Sequence, residues 1–198
     1  MTMLAPLPSV EAFRRDAVSD GVELDDGVAA GWLESATRLE RAAMTRGTER
    51  DRLLAGFLAQ HGVVTFPASG VSTDALTSAA TEIANEIEDQ AFFRLAHSLL
   101  STLLLIVPES AHLYRGRIIA HLARLARHLG DIVSSIQYYE QVSQLGSDYG
   151  LPELTGRALA GLGVLAHLRG DFPTARRHFH SVVDLDGAAR ESVAVAHQ

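Results

Sequence analysis

Cysteine is absent from this 198-residue chain, which excludes disulfides, thiolate metal sites and cysteine nucleophiles and fits a reducing compartment. Lysine is absent too, so all 17 basic residues are arginine. Together with the wealth of Ala, Gly, Arg and Leu, this reads as codon bias in a GC-rich bacterial genome, not as a functional signature. Positive charge is in deficit: the formal net charge is −7. That balance argues against general nucleic-acid binding, which needs clustered cations facing the phosphates. Long apolar runs are missing as well. The longest, 99–107, is interrupted by Ser101 and Thr102 and falls far short of the roughly 20 residues that span a bilayer. The opening MTMLAPLPSV lacks the charged start and apolar core of a secretory signal. A cytoplasmic protein with no membrane partner is the expectation.

Chemical motifs are equally scarce. There is no HExxH, no GxSxG and no phosphate-cradling glycine loop. His178 and His180 stand at i, i+2, and on a helix such side chains diverge by about 160°, too far to chelate one ion easily. No nucleophile–base pair or carboxylate pair stands out. The expectation is a non-enzymatic protein with no cofactor and no metal. Alternation with β-branched enrichment is also lacking, so the fold class is all-α.

What is present is a duplication. GRIIAHLARLARHLGDIVSSIQYYEQVSQL at 116–145 returns forty residues later as GRALAGLGVLAHLRGDFPTARRHFHSVVDL at 156–185. Gly116/Gly156, Leu122/Leu162, Leu125/Leu165, Ala126/Ala166, Gly130/Gly170 and Asp131/Asp171 are among the identities. A fixed period of this size signals stacked supersecondary units, each needing neighbours to bury its apolar face.

Residues 1–27, with Pro6, Pro8 and the acidic run DGVELDDG, form a loose lead-in with a short helix near 9–19. A helix pair is expected over 28–65, with Trp32, Ala36, Leu39 and Ala43 as one buried stripe. Trp32 is read as a core anchor of that pair. FPASGVST at 66–73 is a break. Three helix pairs follow within 74–187, at about 74–108, 112–147 and 152–187. Thr73-Asp74 is the expected cap of the first pair, and Asp131 and Asp171 cap second helices, since their carboxylates accept first-turn N–H groups. Gly130 and Gly170 occupy the left-handed position just past a helix end. Residues 188–198 are a closing cap.

The pattern within each pair resembles the tetratricopeptide repeat. Its large–Leu–Gly–small positions fall on Leu159, Leu162, Gly163 and Ala166, and its second-helix positions on Ala175, Phe179 and Val182. The middle unit supplies Ile119, Leu122, Ala123 and Ala126, then Ser135, Tyr139 and Val142. A degenerate unit offers Ala80, Ile83, Ala84, Ile87, Ala96, Leu100 and Leu103. The period of forty exceeds the family's roughly 34, and the aromatic signature residues of the first helix are replaced by aliphatics and Ala. This long variety is similar to repeats in sensor and regulatory domains of bacterial transcription activators. The resemblance implies antiparallel helix pairs stacked into a short right-handed superhelix, whose concave groove is lined by the first helix of each pair.

On that first helix Arg117, His121, Arg124 and His128 follow the spacing i, i+4, i+7, i+11. At 100° per residue they fall within about 60° of one another. With Arg157, they are the candidate groove residues for a partner. Arginine forks suit carboxylates and phosphates, and histidine becomes cationic in mild acid. The stripe is confined to one repeat, since Gly161, Val164 and Leu168 follow Arg157. The same spacing also describes an ordinary solvated face. Glu82, Asn85, Glu86 and Asp89 give the earlier unit the opposite sign, so that an extended peptide could be oriented or the charges could pair. The leading expectation is a protein or peptide interaction module, its partner carrying an acidic segment. The alternative is a regulator sensing a small anion or signalling peptide at the basic stripe. A thinly capped last repeat favours stacking on a second copy, so a homodimer is expected.

Overall fold

The computed structural model describes residues 26–62, 71–185, 192, 194 and 195. The expected helix at 9–19, most of the break at 66–73 and most of the closing segment 188–198 lie outside the described residues. Among the described residues eight helices have defined bounds: α1 Asp26–Met44, α2 Gly47–Gln60, α3 Thr73–Asp89, α4 Phe93–Ile106, α5 His112–His128, α6 Ile132–Asp148, α7 Pro152–Leu168 and α8 Phe172–Val183. Among the described residues there is no strand, and no helix is long and apolar enough to cross a membrane. The chain divides into two compact units, Met1–Pro108 and Glu109–Gln198.

The helix ends follow from local chemistry. α4 stops at Ile106, before Pro108, because the residue preceding a proline is driven out of helical geometry. Asp131 and Asp171 cap α6 and α8, their carboxylates accepting the N–H groups of Ser134 at 3.0 Å and Thr174 at 3.2 Å. α3 departs from expectation: its cap is Ser72, because Thr73 and Asp74 already lie inside the helix.

Four helices share one closing turn. Phe92 N–H bonds Ile87 O, Asp131 bonds Ala126 O, Leu151 bonds Gly146 O and Asp171 bonds Ala166 O, at 2.8–3.1 Å. Such a five-residue closure needs a left-handed residue inside it. Gly130, Gly150 and Gly170 supply it with φ of 79°, 61° and 77°, whereas α3 uses Ala91 at φ 64°.

In the first unit α1 packs on α2 and α4, and α3 packs on α4. α4 is apolar on several sides, with Leu95, Leu99, Leu100 and Leu103 buried, and so sits at the centre of that core. Trp32 is buried in α1 and meets Phe92 edge-on at 6.3 Å.

In the second unit α5 packs on α6, α6 on α7 and α7 on α8, with α5 also beside α7. The first helices of the two pairs are therefore neighbours. Ile119, Leu122, Leu125, Val142 and Leu154 are fully enclosed, and each such side chain contributes about 1.5–3 kcal/mol of burial. The buried Ser135 hydroxyl donates to Ala123 O at 2.7 Å, so its polar group carries no unpaired cost. Gly161 and Gly163 give α7 two flat places, where the rings of Tyr139 and Phe179 lie against the helix; a Cβ at either would fall on the ring. The small and aromatic positions thus interlock because the glycines leave room for rings.

Candidate functional site

The side-by-side placement of α5 and α7 brings together groups 36 residues apart. Arg117, on the second turn of α5, lays its fork on Glu153 in the first turn of α7: Nε donates to Oε1 and Nη2 to Oε2, both at 2.7 Å. Arg157, one turn further along α7, donates from Nε to the same Oε1 at 3.2 Å. One carboxylate is thus shared by two guanidinium groups. The Arg117 hydrogen bond holds the Glu153 carboxyl below its ordinary range against the opposing push of burial, helped more weakly by the Arg117 charge and by the Arg157 bond and charge. The Arg117 side chain is 43% exposed, so this cluster can be reached from solvent.

The rest of the stripe divides into two further settings. Arg124 Nη2 lies 2.9 Å from His121 Nε2. A guanidinium only donates, so in this contact His121 Nε2 is the acceptor. His121 is 8% exposed, and Arg124 Nε is itself buried. His128 ends α5 in solvent, with Arg127 Nη2 3.2 Å from its Nε2. Both basic residues sit in the last turn of the helix, where the exposed carbonyls favour positive charge. Arg117 and Arg157 are therefore brought together, His121 and Arg124 touch each other, and His128 belongs to neither cluster.

Glu153 is the member that reading along α5 missed. Its i, i+4 spacing to Arg157 was the available signal, because such pairs face one another on a helix. Its bond to Arg117 depends on the packing of α5 against α7, which no local pattern encodes.

The first unit holds a separate polar cluster. His61 Nε2 lies 2.9 Å from Ser35 Oγ, and Ser35 Oγ donates to Gly31 O at 2.9 Å. With that proton committed to the backbone, His61 is the donor to Ser35. Burial lowers the His61 pKa, while the charges of Glu86 and Glu82 oppose the shift. Glu86, exposed on α3, also accepts from Trp32 Nε1 at 3.5 Å. Ser, His and Glu in this order suggest a proton relay, but Ser35 is 0% exposed. No substrate reaches its hydroxyl. Among the described residues no three His, Asp or Glu side chains converge as a metal-ligating group.

No protein-family model matches the chain, and neither a curated protein nor a solved structure matches it.

Proposed function

We propose that the second unit is a non-enzymatic interaction module that holds an acidic polypeptide segment on the face shared by α5 and α7. The finer architecture belongs to the same proposal: helix pairs stacked as in a short right-handed tetratricopeptide superhelix, with that face as its groove. The forty-residue repeat, the recurring turn closure and the adjacency of the two first helices support it. The observation that carries the function is the Arg117–Glu153–Arg157 cluster, in which the exposed Arg117 fork and the half-buried Arg157 share one internal carboxylate. A carboxylate from a partner offers the fork the same geometry that Glu153 now supplies. The cluster is a docking point already fitted to its ligand chemistry.

The test is a fluorescence titration with a labelled decapeptide of alternating Glu and Ser. Replacing Arg117 and Arg157 by Gln is expected to weaken binding by about tenfold, the loss of two solvent-accessible ion pairs of roughly 0.2–1 kcal/mol each. Glu153→Gln is expected to tighten it, because the internal competitor is gone and both arginines remain. A Glu153→Gln protein that loses stability without gaining affinity would show the cluster to be a structural clamp. The second reading, a regulator sensing a small anion, draws on the partly enclosed Arg124 beside His121. Inorganic phosphate raising the melting temperature while the peptide does not would select it.

A further inference from the structure

α8 carries a feature that the α5/α7 face does not use. Phe172, Pro173, Arg176, Arg177, His180 and Ser181 line an open cavity of about 750 Å³. Their spacing follows one face of the helix. The opposite face, with Ala175 and Val182, is buried.

Comparison of the repeats shows how unusual this face is. The equivalent positions on α6, forty residues earlier, are Ile132, Val133, Ile136, Gln137, Glu140 and Gln141. The core positions of the two helices keep their small, aromatic and apolar character (Ser135/Ala175, Tyr139/Phe179, Val142/Val182), yet on this face Ile136 gives way to Arg176, Gln137 to Arg177 and Glu140 to His180. A face carrying one negative charge has become one carrying two positive charges, on a chain of net charge −7. Packing within the repeat does not require the exchange, because the face points away from the buried side.

The cations are held but not neutralised. Arg176 Nε donates to His180 Nε2 at 3.5 Å, and Arg177 Nη2 donates to Thr174 Oγ1 at 3.0 Å; neither acceptor is a carboxylate. Among the described residues neither arginine forms an ion pair, although Asp171 lies near enough to feel the charge of Arg177. Beside them Phe172 is 60% exposed, its ring fixed edge-on against His167 at 5.3 Å. An aromatic side chain held in solvent next to two arginines pairs an apolar floor with a cationic rim.

We propose that this face of α8 is a second docking surface, taking an acidic peptide segment anchored by an aromatic or aliphatic side chain. The anchor covers Phe172 and Pro173 while flanking carboxylates meet Arg176 and Arg177. Charge decides the occupant. A second copy presenting the same face would bring four arginines together, so symmetric self-pairing here is opposed by like-charge repulsion. The site shares no residue with the α5/α7 face and stands or falls independently of it.

The test uses the full chain carrying Arg117→Gln and Arg157→Gln, which silences the other face. The probe is a fluorescein-labelled octapeptide with four Glu, one Phe and one Leu. Binding is expected to persist in that background. Arg176→Gln/Arg177→Gln should weaken it by about tenfold, and Phe172→Ser by several-fold, without altering the circular dichroism because all three side chains are exposed. A peptide with Ser in place of Phe and Leu should bind several-fold more weakly. Loss of all binding in the starting background overturns this proposal and leaves the α5/α7 reading intact. So do unchanged affinity in the α8 variants, tighter binding of a single-stranded ten-nucleotide oligomer than of the peptide, or a dimer that the α8 substitutions dissociate.

Discussion

Glu153 shows how one side chain can tie helices together and still report on pH. Its ordinary pKa is 4.5 and its folded value is lower, chiefly through the Arg117 bond. The unfolded chain therefore takes up this proton first on acidification. The contribution to stability is full above pH 4.5 and is lost as pH falls through the folded value. Because Arg117 is 43% exposed, solvent screens the pair, and Glu153→Gln should cost about 1 kcal/mol at pH 7, near the upper end for exposed pairs. Urea unfolding at pH 7 and at pH 3 checks this: the gap between wild type and variant should close in acid. A gap that stays constant would mean that Glu153 stabilises by packing and not as a carboxylate.

At the scale of elements, the shared turn explains why so much of the helix order was legible. Gly130-Asp131 and Gly170-Asp171 signal a left-handed close followed by a cap, and both occur as such. The turn after α3 was harder to read because Ala91 stands where the other turns have glycine. A left-handed alanine costs about 1–2 kcal/mol, while glycine returns about 0.4–1 kcal/mol of that through the more flexible unfolded chain. Ala91→Gly should therefore raise stability by about 0.5–1 kcal/mol, measured as a higher urea midpoint with an unchanged slope. A lower midpoint would mean that the Ala91 methyl makes contacts worth more than the strain. The candidate site was less legible than the helices. Helical spacing places Arg117, His121, Arg124 and His128 on one face but says nothing of depth. The packing of the second unit encloses His121 and leaves His128 in solvent. The α8 face could have been found from sequence, because it emerges when equivalent positions of the two repeats are compared for their differences.

At the scale of the whole molecule, each unit carries a histidine whose charged form the fold disfavours. His61 in the first unit is lowered from 6.5 mainly by burial, against Glu86 and Glu82. His178 in the second is lowered mainly by burial, with Arg177 adding to the shift and Asp171 opposing it. For both groups the unfolded chain binds the proton more readily than the folded one. Each contribution is therefore full above pH 6.5, declines as pH falls toward the folded pKa and levels off below it. Acid sensitivity thus begins well before Glu153 titrates, and it begins in both units. The melting temperature of the wild type should drop between pH 7.5 and pH 5.5. His61→Gln and His178→Gln should each shrink that drop, and the double variant should shrink it further, because the two side chains belong to different compact units. If neither single variant changes the drop, the neutral state of these histidines is not what couples this fold to pH. If only one does, acid sensitivity resides in that unit, and the other tolerates a charged imidazole within its packing.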